Sequence, residues 1–140
     1  MYDDILLPTD GSEGTKQAAE HAFILAERFD ATIHVVHVID TNSRYHDDHG
    51  EKDLRSDGRR SALQPVTERA EGRDIEFLAQ IREGTPYSEI NDYVEEQDVD
   101  MIVMGTHGRT GLDRMLIGST AEKVVRTASV PVLTVRMEEG

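Results

Sequence analysis

Two glycine-containing segments in the second half of the chain have the spacing of a phosphate-binding loop. Gly105 and Gly108 are separated by two residues, and nine further residues separate Gly108 from Gly118, which is followed by Ser119. The first segment follows an apolar run, and the second precedes residues with helical periodicity. Backbone N–H groups at glycines and at a helix start can bind phosphate oxygens. The spacing therefore predicts an anion site, although each glycine alone could be an ordinary turn residue.

Charged and polar side chains accompany these segments. Asp10 follows the first apolar run, where it would cap the next helix or contact a ligand, and it can do both at once. Ser119 would likewise cap a helix or bind phosphate, and these two roles compete for its hydroxyl. Arg109 and Arg114, with Asp113 as the one acid between residues 105 and 120, give this window a formal charge of +1. The arginines would attract an anion there or pair with surface carboxylates.

The six histidines do not indicate a catalytic or metal centre. We expect His107 to line the glycine segment rather than to act as an acid or base, because the sequence shows no partner for it. His34 and His37 are three residues apart on a predicted strand, so they face opposite sides and cannot chelate one ion. His46 and His49 could bind a divalent metal, but we interpret their segment as a solvated loop. We predict no catalytic residue and no metal ligand.

The composition limits the class of protein. We expect 140 residues to form one domain, and the absence of cysteine excludes disulfides and thiol chemistry. A net charge of −13 argues against nucleic acid or an anionic membrane as a partner, and no apolar run could span a bilayer. We therefore expect a cytoplasmic protein. The 28 acidic residues and only three lysines predict adaptation to molar salt, as in a halophilic archaeon, the alternative being an acidic protein of ordinary salt.

Apolar runs and helical periodicities alternate in the order β-α-β-α-β-α-β-α-β. Strands are predicted at residues 4–10, 33–39, 75–81, 99–104 and 131–136. This alternation predicts a parallel sheet with helices on both faces. Ligands bind such sheets at the carboxyl ends of the strands, where the direction of winding reverses. If the first and fourth strands are neighbours, Asp10 and the glycine segment face one another there.

The helices are predicted from their apolar periodicity and their first residues. The first helix is expected to bury Ala18, Ala22, Leu25 and Phe29. Residues 41–60 are predicted to form a surface loop that leads into a helix around Leu63, Val66 and Ala70. The third helix is expected to have Thr85 as N-cap and Pro86 at its first position, with Ile90 and Val94 following. The last helix is expected to bury Ala121, Val124, Val125 and Ala128.

Taken together, these segments resemble the universal stress protein family, in its nucleotide-binding branch. The resemblance runs nearly end to end, from residues 5–12 through residues 36–40 to residues 131–133. The family's ATP-binding pattern of glycines and serine is met in full. The resemblance implies one universal stress protein domain over residues 1–140. It also implies an adenine nucleotide alpha hydrolase-like α/β fold, with an open five-stranded parallel sheet in the order 3-2-1-4-5 and helices on both faces.

The resemblance also implies roles for individual residues. The residue matching Val38 offers backbone groups to adenine, and the residue matching Asp10 lies beside the ribose hydroxyls. Backbone groups of the three glycines, with the hydroxyl of Ser119, would hold the phosphates. The remaining positions expected to line this pocket are Pro8, Thr9, Met104, Thr106, His107, Arg109 and Thr120.

From the resemblance we expect a homodimeric, ATP-binding module of the stress response that pairs through its last strand, residues 132–136. Magnesium would bind through phosphate oxygens and water. We expect no hydrolysis or very slow hydrolysis, because the sequence shows no convincing base near the glycines. Two other functions stay open: a slow magnesium-dependent ATPase or phosphotransferase, and a nucleotide-free dimeric interaction protein.

Overall fold

A five-stranded parallel sheet forms the centre of the protein. The computed structural model describes residues 2–10, 13–41, 57–106 and 119–136. The strands are β1 (Asp4–Pro8), β2 (Thr32–Asp40), β3 (Glu76–Gly84), β4 (Met101–Gly105) and β5 (Val132–Val135). They lie in the order β3-β2-β1-β4-β5, and all four neighbouring pairs are parallel. The predicted α/β class and strand order are confirmed.

Helices cover both faces of the sheet. The described helices are α1 (Glu13–Phe29), α2 (Asp57–Glu71), α3 (Pro86–Glu96) and α4 (Ser119–Thr127). One core packs α1 and α2 against Ile5 and Leu7, and a second core packs α3 and α4 against Leu6. These three consecutive residues of β1 are fully buried, because side chains alternate between the two faces and both faces are covered. No helix in the described ranges is both long and apolar enough to cross a membrane.

Several element boundaries differ from the predicted ones. β3 extends to Gly84, three residues beyond the prediction, because it pairs with β2 over nine successive positions. β4 begins at Met101 rather than at residue 99. α2 begins at Asp57, so residues 57–60 of the predicted loop are helical, while residues 42–56 lie outside the described part of the chain. Thr85 and Pro86 begin α3 as predicted, although the Thr85 side chain makes no capping hydrogen bond.

The predicted buried face of α1 is only partly right. Both predicted alanines are buried, but Leu25 is half-buried and Phe29 is 46% exposed. Phe23, which is fully buried, fills the core instead. Phe29 is the last residue of the helix, and its ring packs edge-on against Tyr2, with 5.2 Å between the ring centroids. The helix thus turns a neighbouring face toward the sheet.

The predicted face of α4 needs a similar correction. Ala121 and Val124 are buried as predicted, and Ala128 is half-buried just beyond the helix. Val125, in contrast, is 46% exposed. It lies about 100° around the helix from Val124. The sheet therefore covers a narrower stripe of α4 than the apolar pattern predicts.

Candidate functional site

A cavity of about 380 Å³ opens at the carboxyl ends of β1, β2 and β4. β1 and β4 are neighbours, but the helices that follow them, α1 and α4, pack on opposite faces of the sheet. This reversal leaves a crevice between the two strand ends. The volume falls within the range of about 300–1,000 Å³ that is usual for small-molecule pockets.

The cavity brings together nine of the thirteen residues predicted to bind a ligand. These are Pro8, Thr9, Asp10, Val38, Met104, Gly105, Thr106, Ser119 and Thr120. The other four, His107, Gly108, Arg109 and Gly118, lie outside the described residues. Gly105 and Ser119, one from each glycine segment, therefore lie at one place, and the binding role of the thirteen residues stays a prediction.

Six further lining residues are not among the thirteen predicted site residues. They are Thr15, Val36, Asp40, Pro86, Ile90 and Ala121. Four of these belong to the first two turns of α1, α3 and α4. The rule that ligands bind at strand ends indicates helix starts in general. Nothing local in the sequence shows that α3, which follows the edge strand β3, reaches this cavity.

Asp10 is held by the buried hydroxyl of Thr15. Thr15 Oγ1 donates to Asp10 Oδ1 at 3.0 Å, and the backbone N–H of Asp10 donates to the same hydroxyl oxygen at 3.4 Å. Thr15 is 6% exposed, whereas Asp10 is exposed at the cavity. Because a carboxylate accepts several hydrogen bonds at once, this arrangement can fix Asp10 and still let it accept from ligand hydroxyls.

The end of β1 is attached to β2 by two hydrogen bonds. The Thr9 N–H donates to the Val36 carbonyl at 2.9 Å, and Nδ1–H of His37 donates to the Thr9 carbonyl at 2.9 Å. His34 has different surroundings, since its ring contacts Tyr93 and Asp4. In the part of the chain that the structure describes, no group of three or more His, Asp or Glu side chains is arranged to hold a metal ion.

The lining suits a flat apolar group with an anionic tail. Val36, Val38, Ile90 and Met104 give the cavity apolar walls. The first turns of α1 and α4 also reach it, and helix starts offer N–H groups and a partial positive charge, whereas α3 begins with Pro86, which has no N–H. A ligand with an aromatic base at one end and phosphates at the other has this distribution of groups.

The fold and the cavity define a doubly wound α/β protein with a cavity at the point where the winding reverses, which is where proteins of this class bind nucleotides. The sequence model of the universal stress protein family matches residues 1–136. The chain belongs to this family.

Several known proteins are similar to this chain. Universal stress protein MJ0531 of Methanocaldococcus jannaschii is 37% identical, over 97% of this chain and 83% of that protein. Protein MJ0577 of the same archaeon is 30% identical, and its solved structure matches with a TM-score of 0.83 over 100% of this chain and 99% of that one. A universal stress protein solved in complex with cAMP has a TM-score of 0.74 over 96% and 97% of the two chains, and at 20% identity it shows the fold alone.

Proposed function

We propose that the protein binds an adenine nucleotide, ATP in the first place, and serves the stress response as a nucleotide-responsive module. The observation that carries this proposal is that one cavity joins apolar walls to the first turns of α1 and α4. An adenine ring fits apolar walls, and phosphates fit helix starts. A universal stress protein of the same fold has been solved with cAMP, so the fold is able to hold an adenine nucleotide.

We assign each part of the nucleotide to a part of the lining. The base would lie along Val38, with Met104 and Ile90 nearby, and the ribose hydroxyls would donate to Asp10. The phosphates would lie between Gly105 and the start of α4 at Ser119, together with the predicted residues between them. Magnesium would be held by the phosphate oxygens and water.

We infer that the nucleotide acts as a ligand more than as a substrate. Hydrolysis needs a positioned water and a base beside the terminal phosphate. The described lining offers the carboxylates of Asp10 and Asp40. Asp10 is assigned to the ribose, and Asp40 ends β2, which β1 separates from the phosphate-binding strand β4. The nucleotide would act through its preference for one conformation or one dimer arrangement.

The edge strand β5 supports the proposal of a homodimer. It is the last strand in the order of the sheet, and Leu133 in its middle is 39% exposed. An edge strand with an apolar side chain is suited to pairing with a second copy. The Thr106 N–H donates to the carbonyl of Val135, the last residue of β5, at 3.0 Å. Because Thr106 lines the cavity, the strand of the proposed interface is hydrogen-bonded directly to a lining residue.

Calorimetric titration with ATP, ADP and AMP tests nucleotide binding, together with mass analysis of small molecules released from the purified protein. Val38→Phe adds a ring to the half-buried wall and is expected to weaken ATP binding at least about tenfold. Val125→Phe, at the exposed position on α4, is the matched control and should keep the wild-type affinity. Wild-type protein that releases no nucleotide and binds none of the three would refute the proposal.

A further inference from the structure

Helix α3 forms one wall of the cavity. Pro86 and Ile90 of α3 line the cavity together with Val38 of β2. Only Ile90, Tyr93 and Val94 of this helix are buried. The partly buried ring of Tyr87 packs against the same core, and polar contacts add to this apolar attachment of α3.

Arg82 of β3 holds α3 at two points. Its Nε donates to Glu89 Oε1 at 2.9 Å, while Nη1 and Nη2 donate to the two carboxylate oxygens of Glu96 at 3.0 and 3.1 Å. Glu89 and Glu96 are seven residues apart, so one planar guanidinium spans two helical turns. The hydrogen bonds to Glu96 raise the pKa of Arg82 and lower the pKa of Glu96, so both groups stay charged near neutral pH.

A chain of hydrogen bonds, buried at Tyr93 and His34 and partly exposed at Asp4, ties the same helix to β2 and β1. The hydroxyl of Tyr93 lies 2.6 Å from Nδ1 of His34, and Nε2 of His34 lies 2.9 Å from Asp4 Oδ1. Because a carboxylate only accepts, Nε2 donates to Asp4, and in the tautomer with its proton on Nε2 the ring accepts the Tyr93 O–H at Nδ1. The guanidinium carbon of Arg82 lies 5.5 Å from the centroid of the Tyr93 ring, which joins the two sets of contacts.

These contacts define position more than they add stability. Partly exposed ion pairs contribute little net stability, whereas a two-pronged guanidinium–carboxylate pair accepts one orientation. In the register of β2 and β3, Arg82 is paired with Val38, a lining residue of the cavity. Arg82 therefore attaches α3 to the sheet beside Val38, the residue of β2 that lines the cavity.

We propose that Arg82 is a positioning residue of the cavity, which sets the distance between α3 and β2 and thereby the width of the slot for the base. The inference rests on the proposed function for the identity of the ligand. The corner at Gly84 supports it, because a Cβ at this residue would lie 2.8 Å from Oε2 of Glu89. The corner thus brings the Glu89 carboxylate close to β3 in a way that only glycine allows.

Arg82→Met removes the guanidinium and keeps an unbranched side chain. The matched control is Arg69→Met, since Arg69 pairs with Glu20 at 3.0 Å between α2 and α1 on the other face of the sheet. Calorimetric titration with ATP, at a temperature where all variants are folded, is expected to show a Kd about tenfold higher for Arg82→Met and unchanged for Arg69→Met. Arg82→Lys restores the charge without the two-pronged geometry, and its Kd should stay close to that of Arg82→Met. A lower melting temperature with the wild-type Kd would overturn the proposal.

Hydrogen exchange of the nucleotide-free protein measures how firmly the first turn of α3 is held in place. The Glu89 N–H donates to the Thr85 carbonyl at 2.9 Å in the first turn of α3, and the Ala128 N–H donates to the Val124 carbonyl at 2.8 Å. Arg82→Met is expected to speed exchange at Glu89 about tenfold and to leave Ala128 unchanged. If the wild type binds no nucleotide, the proposed function fails, and exchange at Glu89 still decides the role of Arg82. Unchanged exchange at Glu89 would refute that role.

Discussion

Gly84, at the corner between β3 and α3, is a position where one methyl group should have a large effect. Its φ is +146°, a conformation that L side chains rarely adopt. A Cβ there would lie 2.8 Å from Oε2 and 3.0 Å from Cγ of Glu89. Gly84→Ala should therefore strain the backbone. It should also push the Glu89 carboxylate away from Nε of Arg82, from which it accepts a hydrogen bond at 2.9 Å.

The size of the effect follows from three contributions to the free energy of unfolding. Backbone strain of this kind costs about 1–3 kcal/mol. Loss of the partly exposed Arg82–Glu89 pair costs up to about 1 kcal/mol, and the stiffer unfolded chain offsets about 0.4–1 kcal/mol. We expect a net loss of about 2 kcal/mol. At about 2.1 cal/mol/K of unfolding entropy per residue, 140 residues convert this loss into roughly 7 °C of melting temperature.

Unfolding in guanidinium chloride measures the free energy of unfolding, and scanning calorimetry measures the melting temperature. Gly72→Ala is the matched control, because a Cβ at Gly72 would meet the Arg69 carbonyl oxygen at 3.9 Å, an ordinary contact. This variant should keep or slightly increase the stability. A loss below about 0.5 kcal/mol for Gly84→Ala, or an equal loss in both variants, would refute the reasoning.

Four other predictions concern the buried network, the cavity, the sheet edge and salt. Tyr93→Phe leaves Nδ1 of His34 without its donor and should cost about 1–3 kcal/mol in denaturant unfolding at pH 7. Burial raises the pKa of Tyr93 in the folded state. The stabilisation that its neutral hydroxyl provides is therefore complete below pH 10 and is lost as the pH rises through the folded-state pKa. The difference from wild type should therefore shrink above pH 10, and a constant difference would contradict this. Thr15→Val removes the donor to Asp10 and should raise the Kd for ATP several-fold, whereas an unchanged Kd would contradict the role of Asp10. Leu133→Glu should shift sedimentation equilibrium toward the monomer. Raising KCl from about 0.1 M to about 2 M should raise the melting temperature, since it screens a net charge of −13, and a decrease would count against salt adaptation.

Much of the fold was predictable because its signals are local. The run of three buried residues in β1 and the apolar run before Gly105 indicate central strands, and parallel alternation brings their carboxyl ends to one edge. The site prediction depended on the same rule. Asp10, Gly105 and Ser119 line one cavity because each follows a strand or begins a helix at that edge.

The amino-acid sequence by itself determined the order of the elements and the edge of the sheet that carries the cavity. Nine of the fifteen residues that line the cavity are among the predicted site residues. The tertiary structure decided which helix faces are buried, as Phe29 and Val125 show. It also decided that Thr15 holds Asp10 and that Arg82 holds α3 at the cavity. The physical reason is that a strand is recognisable from its own residues. Burial of a helix face and hydrogen bonds between side chains depend on which surfaces the folded chain places opposite one another.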